Sequence, residues 1–254
     1  NVNYKRYNFR SNVDMDISPK TTVSFGIQGN VSENTEPAEG GSASIYRDII
    51  NAAPNAFPVI LKDGRLAGRD GLNNPYNMLT QRGYVKNISN ALRANLTVDQ
   101  NLDFITEGLT AKLTYAYDYS TDAADTRSRS INFFEPTGRD ENGDLLATEW
   151  YASSYQDYLN YSHSSSSTRS QYAEATINYS RTFGKHDVGG LVMGFVKDNR
   201  YMIQGMDYIT SLPKRSLGLA GRVTYGYDNR YLLEANVGFN GSENFAKGNR
   251  MGIF

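Results

Sequence analysis

Between Ser216 and Ser242 the chain alternates, residue by residue, across two runs that meet at Asp228-Asn229-Arg230. Leu217, Leu219, Gly221, Val223, Tyr225 and Tyr227 fall on one parity, with Gly218, Ala220, Arg222, Thr224, Gly226 and Asp228 between them. After the turn, Tyr231, Leu233, Ala235, Val237 and Phe239 resume against Leu232, Glu234, Asn236, Gly238 and Asn240. Strand side chains change face with period two, so the stretch predicts an antiparallel hairpin with one apolar, tyrosine-edged face and one polar face. A soluble sheet would bury the apolar face. A transmembrane barrel turns it to lipid and lines a watery lumen with the other face. Each run has the roughly 9–11 residues that a tilted membrane strand needs, which favours the barrel.

Composition sets limits around that hairpin. The mean hydropathy of -0.56 over 254 residues would ordinarily describe a soluble chain. The most apolar run, Val188–Val196, is broken by Gly189, Gly190 and Gly194, far short of the ~20 apolar residues of a membrane helix. A helical membrane protein is excluded, whereas a barrel escapes such averages because its strands are only half apolar. A formal net charge of -1 argues against a nucleic-acid partner. With no cysteine, disulfides, thiolate catalysis and Cys-type zinc sites are excluded.

The same alternation recurs along the chain. It predicts strands at Tyr7–Ile17, Thr21–Val31, Asn87–Asp99, Leu109–Tyr119, Arg169–Arg181 and Asp187–Lys197. The last is the least regular, with Leu191, Met193 and Phe195 on one face and Val188, Val192 and Val196 on the other. Short turns are expected at Ser18-Pro19-Lys20, near Asp103–Glu107, at Gly184-Lys185-His186 and at Asp228-Asn229-Arg230. Long excursions occupy 32–86, 120–168 and 198–215. The first holds a predicted helix, Ser44–Ala53, capped by Ser44 and stopped by Pro54, then a small hairpin, Pro58–Ala67, turning on Asp63-Gly64. The second carries a turn signal at Asn142-Gly143 and the polar tract Ser162–Thr168. Short and long connections alternate without exception, the rhythm of outer-membrane barrels with short periplasmic turns and long extracellular loops. The expected architecture is all-β: a single partial domain over 1–254, about eight strands of a larger antiparallel transmembrane barrel. Both ends fall in strand-like sequence, as expected of an internal piece of a longer protein.

At Ser216–Phe254 the residues carry a specific pattern: Gly218, Gly221, Arg222, Tyr225, Tyr227, Arg230 and Tyr231, then Gly241-Ser242-Glu243-Asn244-Phe245 and the restart Arg250-Met251-Gly252-Ile253-Phe254. This closely resembles the barrel of the SusC/RagA family of TonB-linked outer-membrane proteins of Bacteroidetes-type bacteria. Tyr7–Asp14, Phe57-Pro58-Val59 with Asp63-Gly64, and Gly108-Leu109 leading to Tyr115–Asp118 are similar to that family as well. The resemblance implies a 22-stranded importer with an N-terminal plug and energy delivered through TonB. It also implies a SusD-like surface lipoprotein as a lid, and glycan or peptide oligomers as cargo. The plug, the TonB-contacting segment and the closing strands would lie outside this chain.

No catalytic constellation is expected, since neither His163 nor His186 is framed in sequence by paired carboxylates or a nucleophile motif. Asp140-Glu141-Asn142-Gly143-Asp144 has a calcium-loop flavour, but Leu145 and Tyr151 stand where an EF-hand needs Gly and an acid, and a hairpin turn is the better reading. No metal or cofactor is expected. Tyr115, Tyr117, Tyr225, Tyr227 and Tyr231 sit near strand ends and read as interfacial belt residues rather than sugar platforms. Substrate contact is assigned to aromatics of the excursions, namely Tyr46, Phe133, Phe134, Trp150 and Tyr151, although such rings also pack loop cores or a lid protein. Arg10, Asp14, Arg93, Lys112, Glu174, Arg222 and Glu234 are expected to line the lumen, pairing with one another or with the plug. Outer-membrane lipid is then the solvent of the apolar face. Two rival readings are a passive porin or adhesin barrel and a soluble carbohydrate-binding sandwich.

Overall fold

The computed structural model describes residues 2–38, 41–69, 72, 74–150, 155–203, 205–246 and 248–253. Nine strands form one sheet: β1 (Asn3–Ser18), β2 (Thr21–Pro37), β3 (Gly83–Asn101), β4 (Leu109–Ser128), β7 (Asn160–Phe183), β8 (His186–Ile203), β9 (Lys214–Tyr227), β10 (Tyr231–Ser242) and β11 (Met251–Ile253). Each strand lies beside its successor in that order, with β1 and β11 at the two edges. It is an open antiparallel up-and-down sheet, the fold class that the alternation predicts for a barrel segment. The long connections carry α1 (Gly41–Asn51), α2 (Pro75–Thr80) and a separate hairpin of β5 (Phe133–Arg139) and β6 (Leu145–Trp150). Among the described residues no helix is long and apolar enough to cross a membrane.

Most strands outrun their predicted bounds at the long-loop end. The Ser162–Thr168 tract, expected in an excursion, belongs to β7, and 32–37 and 198–203 likewise remain in strand. Backbone pairing continues after the apolar alternation stops, because a ladder in water needs hydrogen bonds but no greased face. The sheet's hairpins close as their residues dictate. Asp228 and Asn229 adopt φ of 51° and 52°, and the Arg230 amide donates to the Tyr227 carbonyl at 2.9 Å. Two left-handed residues in succession make the turn whose twist suits a hairpin, and Asp and Asn tolerate it best after Gly. At the β3–β4 turn Gly108 has φ 85°, and a Cβ there would stand 2.0 Å from the Ser180 carbonyl oxygen. Only glycine fits.

The chain divides into two units. One comprises Asn1–Arg6, Ser32–Ser89 and Asp122–Ser165. All the buried apolar side chains found, Ile45, Leu61, Ala67 and Met78, belong to it. Asn74 organises this small core. As N-cap of α2 it accepts from the amides of Tyr76 (3.0 Å) and Asn77 (3.4 Å), while its Nδ2 donates to the carbonyls of Val59 (2.8 Å) and Ala67 (2.6 Å). Helix α1 starts at Gly41, ahead of the Ser44 cap expected from sequence, and ends at Asn51. The Asp63-Gly64 hairpin forms as an Ile60–Leu66 bridge with a 2.8 Å bond from the Leu61 amide to the Arg65 carbonyl.

The other unit comprises Tyr7–Val31, Asn90–Thr121 and Ser166–Phe254. Its apolar strand faces are uncovered: Leu217, Val223, Leu233 and Val237 are 44%, 62%, 69% and 56% exposed. Register resolves the irregular β8. Val188, Val192 and Val196 pair with Tyr225, Gly221 and Leu217, so they share the apolar face. Leu191, Met193 and Phe195 therefore stand beside Arg222, Ala220 and Gly218 on the polar face, where Phe195 stacks on Tyr172 at 5.9 Å.

Candidate functional site

Two sets of side chains are candidates for a functional role, one in each unit. In the sheet unit, the polar face carries a ladder of charges. Arg93 lies 3.9 Å from Asp118 and Lys112 3.4 Å from Asp99, both pairs joining β3 to β4. Glu174 accepts from the Tyr172 hydroxyl and from Thr176 Oγ1 at 3.2 Å, and Glu234 accepts from Asn236 Nδ2 at 2.8 Å. Arg222 stands opposite Leu191 on β8 and Asn236 on β10. Arg10 and Asp14 are exposed on the edge strand β1. The structure thus gives several of the seven charges partners drawn from other residues, and no salt bridge between two of the seven is found among the described residues. At the short-turn end, on the apolar face, Tyr225, Tyr227 and Tyr231 gather with His186, whose Nδ1 lies 2.7 Å from the Tyr225 hydroxyl. Amphipathic rings massed at a strand end suit a water–hydrocarbon boundary.

In the excursion unit, the β5–β6 hairpin carries three of the singled-out aromatics and brings two of them, Phe133 and Trp150, together on one face. Phe133 pairs with Trp150 across the ladder, and their rings stack at 6.2 Å with 12° between planes. Phe134 lies under the Arg65 guanidinium, 4.3 Å from its ring centroid. The hairpin is tied to the preceding segment by a bridge between Ala67 and Phe134, and Gly68 is small because Phe133 rests against it. Ion pairs flank the hairpin: Arg69 lies 3.7 Å from Glu135 and Arg65 2.5 Å from Asp63, while at the turn end Lys62 lies 2.8 Å from Asp144. The Arg65 guanidinium holds the Asp63 carboxyl below its usual 3.8. Trp150 keeps 43% of its surface open. A stacked, partly open indole with polar and charged groups nearby can hold a flat polar ligand. Tyr46 is exposed on α1, apart from this group, and Tyr151 lies outside the described residues.

The Asp140–Asp144 stretch forms the hairpin turn preferred from sequence. Asp140 Oδ1 accepts from the amides of Asn142 (2.9 Å) and Asp144 (2.8 Å), so its carboxylate serves the turn. Among the described residues no cluster of three or more potential metal-ligating acids or histidines is found. One contact escaped sequence reasoning. His163 Nδ1 lies 2.8 Å from Asp125 Oδ1, which also accepts from the Tyr161 hydroxyl at 2.8 Å. Residues so far apart in sequence leave no spacing to read, so His163 does have a carboxylate beside it after all. Helix α2 was missed too, although Asn74-Pro75 is an N-cap followed by a proline at the first helical position.

This sheet, greased on one face, charged on the other and joined alternately by short turns and long loops, defines a segment of a bacterial outer-membrane β-barrel. No family model matches the chain. Two curated relatives from Formosa agariphila, TonB-dependent receptor P3 and TonB-dependent receptor P39, are each 23% identical, over 100% and 99% of this chain. The chain spans about a quarter of their length, 26% and 24% respectively. Among solved structures, that of the RagAB peptide transporter matches with a TM-score of 0.66 at 17% identity, covering 99% of this chain and 29% of that one. The RagAB peptide importer in its open-open state matches with a TM-score of 0.61, at 17% identity over 100% of this chain and 29% of that chain. Over its whole length the chain is therefore similar to a segment of TonB-dependent receptors, and it shares its fold with part of the RagAB peptide transporter.

Proposed function

We propose that the protein containing this segment imports nutrient oligomers across the outer membrane, with energy delivered through TonB. The observation that carries this reading is the match of the whole chain to TonB-dependent receptors, joined to a sheet whose apolar strand faces lie open for lipid. In this reading the strands are the fixed wall. Arg10, Asp14, Arg93, Lys112, Glu174, Arg222 and Glu234 line the lumen, and movement of a plug held elsewhere in the protein opens the path. The Phe133–Trp150 stack and Phe134 form an outer contact for cargo, an oligosaccharide face or an apolar peptide side chain. Tyr46, Ile49 and Ile50, exposed on α1, offer an apolar surface to a SusD-like lid lipoprotein. Chemically the described residues bind and conduct, and the named relatives are receptors and transporters.

The test is uptake of fluorescent oligopeptides and oligosaccharides by cells carrying the full-length receptor, with and without TonB. Uptake of one class should vanish without TonB. It should also weaken about tenfold in affinity on Trp150→Ala, as expected for loss of a ring-stacking anchor. Uptake that persists unchanged without TonB would identify a passive pore instead.

A further inference from the structure

The apolar side of the sheet unit holds a hollow of about 470 Å³ that the import reading does not use. Its floor is a single row across five strands. Ala173 pairs with Val196, Val196 with Leu217, Leu217 with Gly241, and Gly241 with Met251, with Tyr115 closing one side. Two residues further along each strand, toward the long loops and on the same face, the row changes character to Gln171, Asp198 and Arg215. Two residues further again, Arg169 stands directly opposite Arg200. A step of two residues advances a strand by about 7 Å, so three guanidiniums sit within one or two steps of an acyl-width floor.

Those guanidiniums are only partly matched. Asp198 takes Arg200 Nε at 3.2 Å and Arg215 Nε at 2.8 Å, and Glu243 lies 3.7 Å from Arg215 Nη1. Arg169 Nε is buried without a hydrogen-bond partner. Among the described residues these three guanidiniums therefore share two carboxylates, and Arg169 Nε has no partner, at a boundary where unpaired donors are costly and anionic oxygens bind them best.

We propose that this hollow is a lipid site, in which one acyl chain lies along the Ala173–Val196–Leu217–Met251 row and Arg169, Arg200 and Arg215 hold the phosphate of an outer-leaflet glycolipid. The proposal rests on the outer-membrane placement with the long loops outward, and not on what the receptor imports. A soluble anion would have no use for the apolar floor, which opens toward lipid and away from the polar face. A neutral lipid would leave Arg169 unanswered.

The test uses the full-length receptor purified in detergent, probed with phosphorylated lipid A, its dephosphorylated counterpart and inorganic phosphate, and read by native mass spectrometry. Phosphorylated lipid A should be retained at one per chain. The dephosphorylated form, and the Arg200→Gln/Arg215→Gln variant with the phosphorylated form, should each be retained about tenfold less. Equal retention of the dephosphorylated lipid overturns the proposal, as does a variant that binds like the parent. Displacement of the lipid by millimolar inorganic phosphate would show an anion pocket without a lipid and overturns it too. Should the variant not fold, the comparison of the two lipids on the unaltered receptor still decides. The variant's uptake is expected to be unchanged, so loss of lipid and loss of import are separate outcomes.

Discussion

The two units of this chain solve the problem of apolar side chains in opposite ways. The excursion unit buries Ile45, Leu61, Ala67 and Met78 and threads Asn74 through them, satisfying both ends of its amide within the protein. The sheet unit leaves Leu217, Val223, Leu233 and Val237 uncovered along whole strands. In water that second arrangement would be an aggregation surface of many hundred Å². In a bilayer it is the covered state, because hydrocarbon completes the packing and the ladder satisfies every backbone group. The difference shows that one chain is written for two solvents. The hydrophobic side chains alone do not say which solvent applies. Their period does.

The largest effect expected is in the small core. Met78 is 2% exposed, and Met78→Ala should destabilise the excursion unit by about 2–5 kcal/mol, the range for large-to-small core changes. Limited proteolysis should then cut within 44–80 while heat-modifiable migration of the barrel in detergent stays as in the parent. If the barrel melts together with the excursion, the two units are one cooperative body and the comparison fails.

Next in size is the lipid face. Val223→Arg should cost about 2–4 kcal/mol of barrel stability, the value for a basic residue near the bilayer midplane. Asn236→Arg, on the opposite face beside Glu234, should change it by no more than about 0.5 kcal/mol. Urea unfolding in lipid vesicles measures both. Equal penalties at the two positions would show that both faces meet the same solvent, and the lipid assignment would be lost.

What the sequence made legible follows the same division. Period-two alternation is a local signal, so Leu217–Phe239 and its sister strands announced the sheet, its faces and its turns. The parts that stayed hidden are those where the signal is absent or non-local. The strand extensions 32–37, 160–168 and 198–203 have polar residues on both faces and read as loop, although pairing alone keeps them extended. The side taken by Leu191, Met193 and Phe195 depended on register with β9, which no single strand contains. Of the aromatics singled out, Phe133 and Trp150 converge because a hairpin pairs them, Phe134 turns to the other face to meet Arg65, and Tyr46 rides on a separate helix. His163 meeting Asp125, and Arg169 facing Arg200, are contacts between distant residues that spacing cannot encode.

The smallest effect sharpens the comparison at the level of two exposed carboxylates, one in each unit. Both have their pKa lowered from 3.8, Asp63 first by its hydrogen bond with Arg65 and Asp103 first by the Gly108 amide, which donates to it at 2.8 Å. A carboxyl whose folded pKa is depressed stabilises its turn above pH 3.8, and that contribution disappears as pH falls through the folded value below it. Gly108 should therefore lose hydrogen-exchange protection in acid, and Asp103→Asn should flatten that pH dependence. Raising salt from about 0.1 M to about 1 M shortens the screening length from about 10 Å to about 3 Å. The Asp63 titration, set by a charged partner in water, should move up toward 3.8 under that change, whereas that of Asp103, set by a fixed backbone dipole, should stay nearly in place. Equal salt shifts measured by NMR at the two carboxyls would mean that the Asp103 turn is held by charge and not by the geometry that Gly108 alone permits.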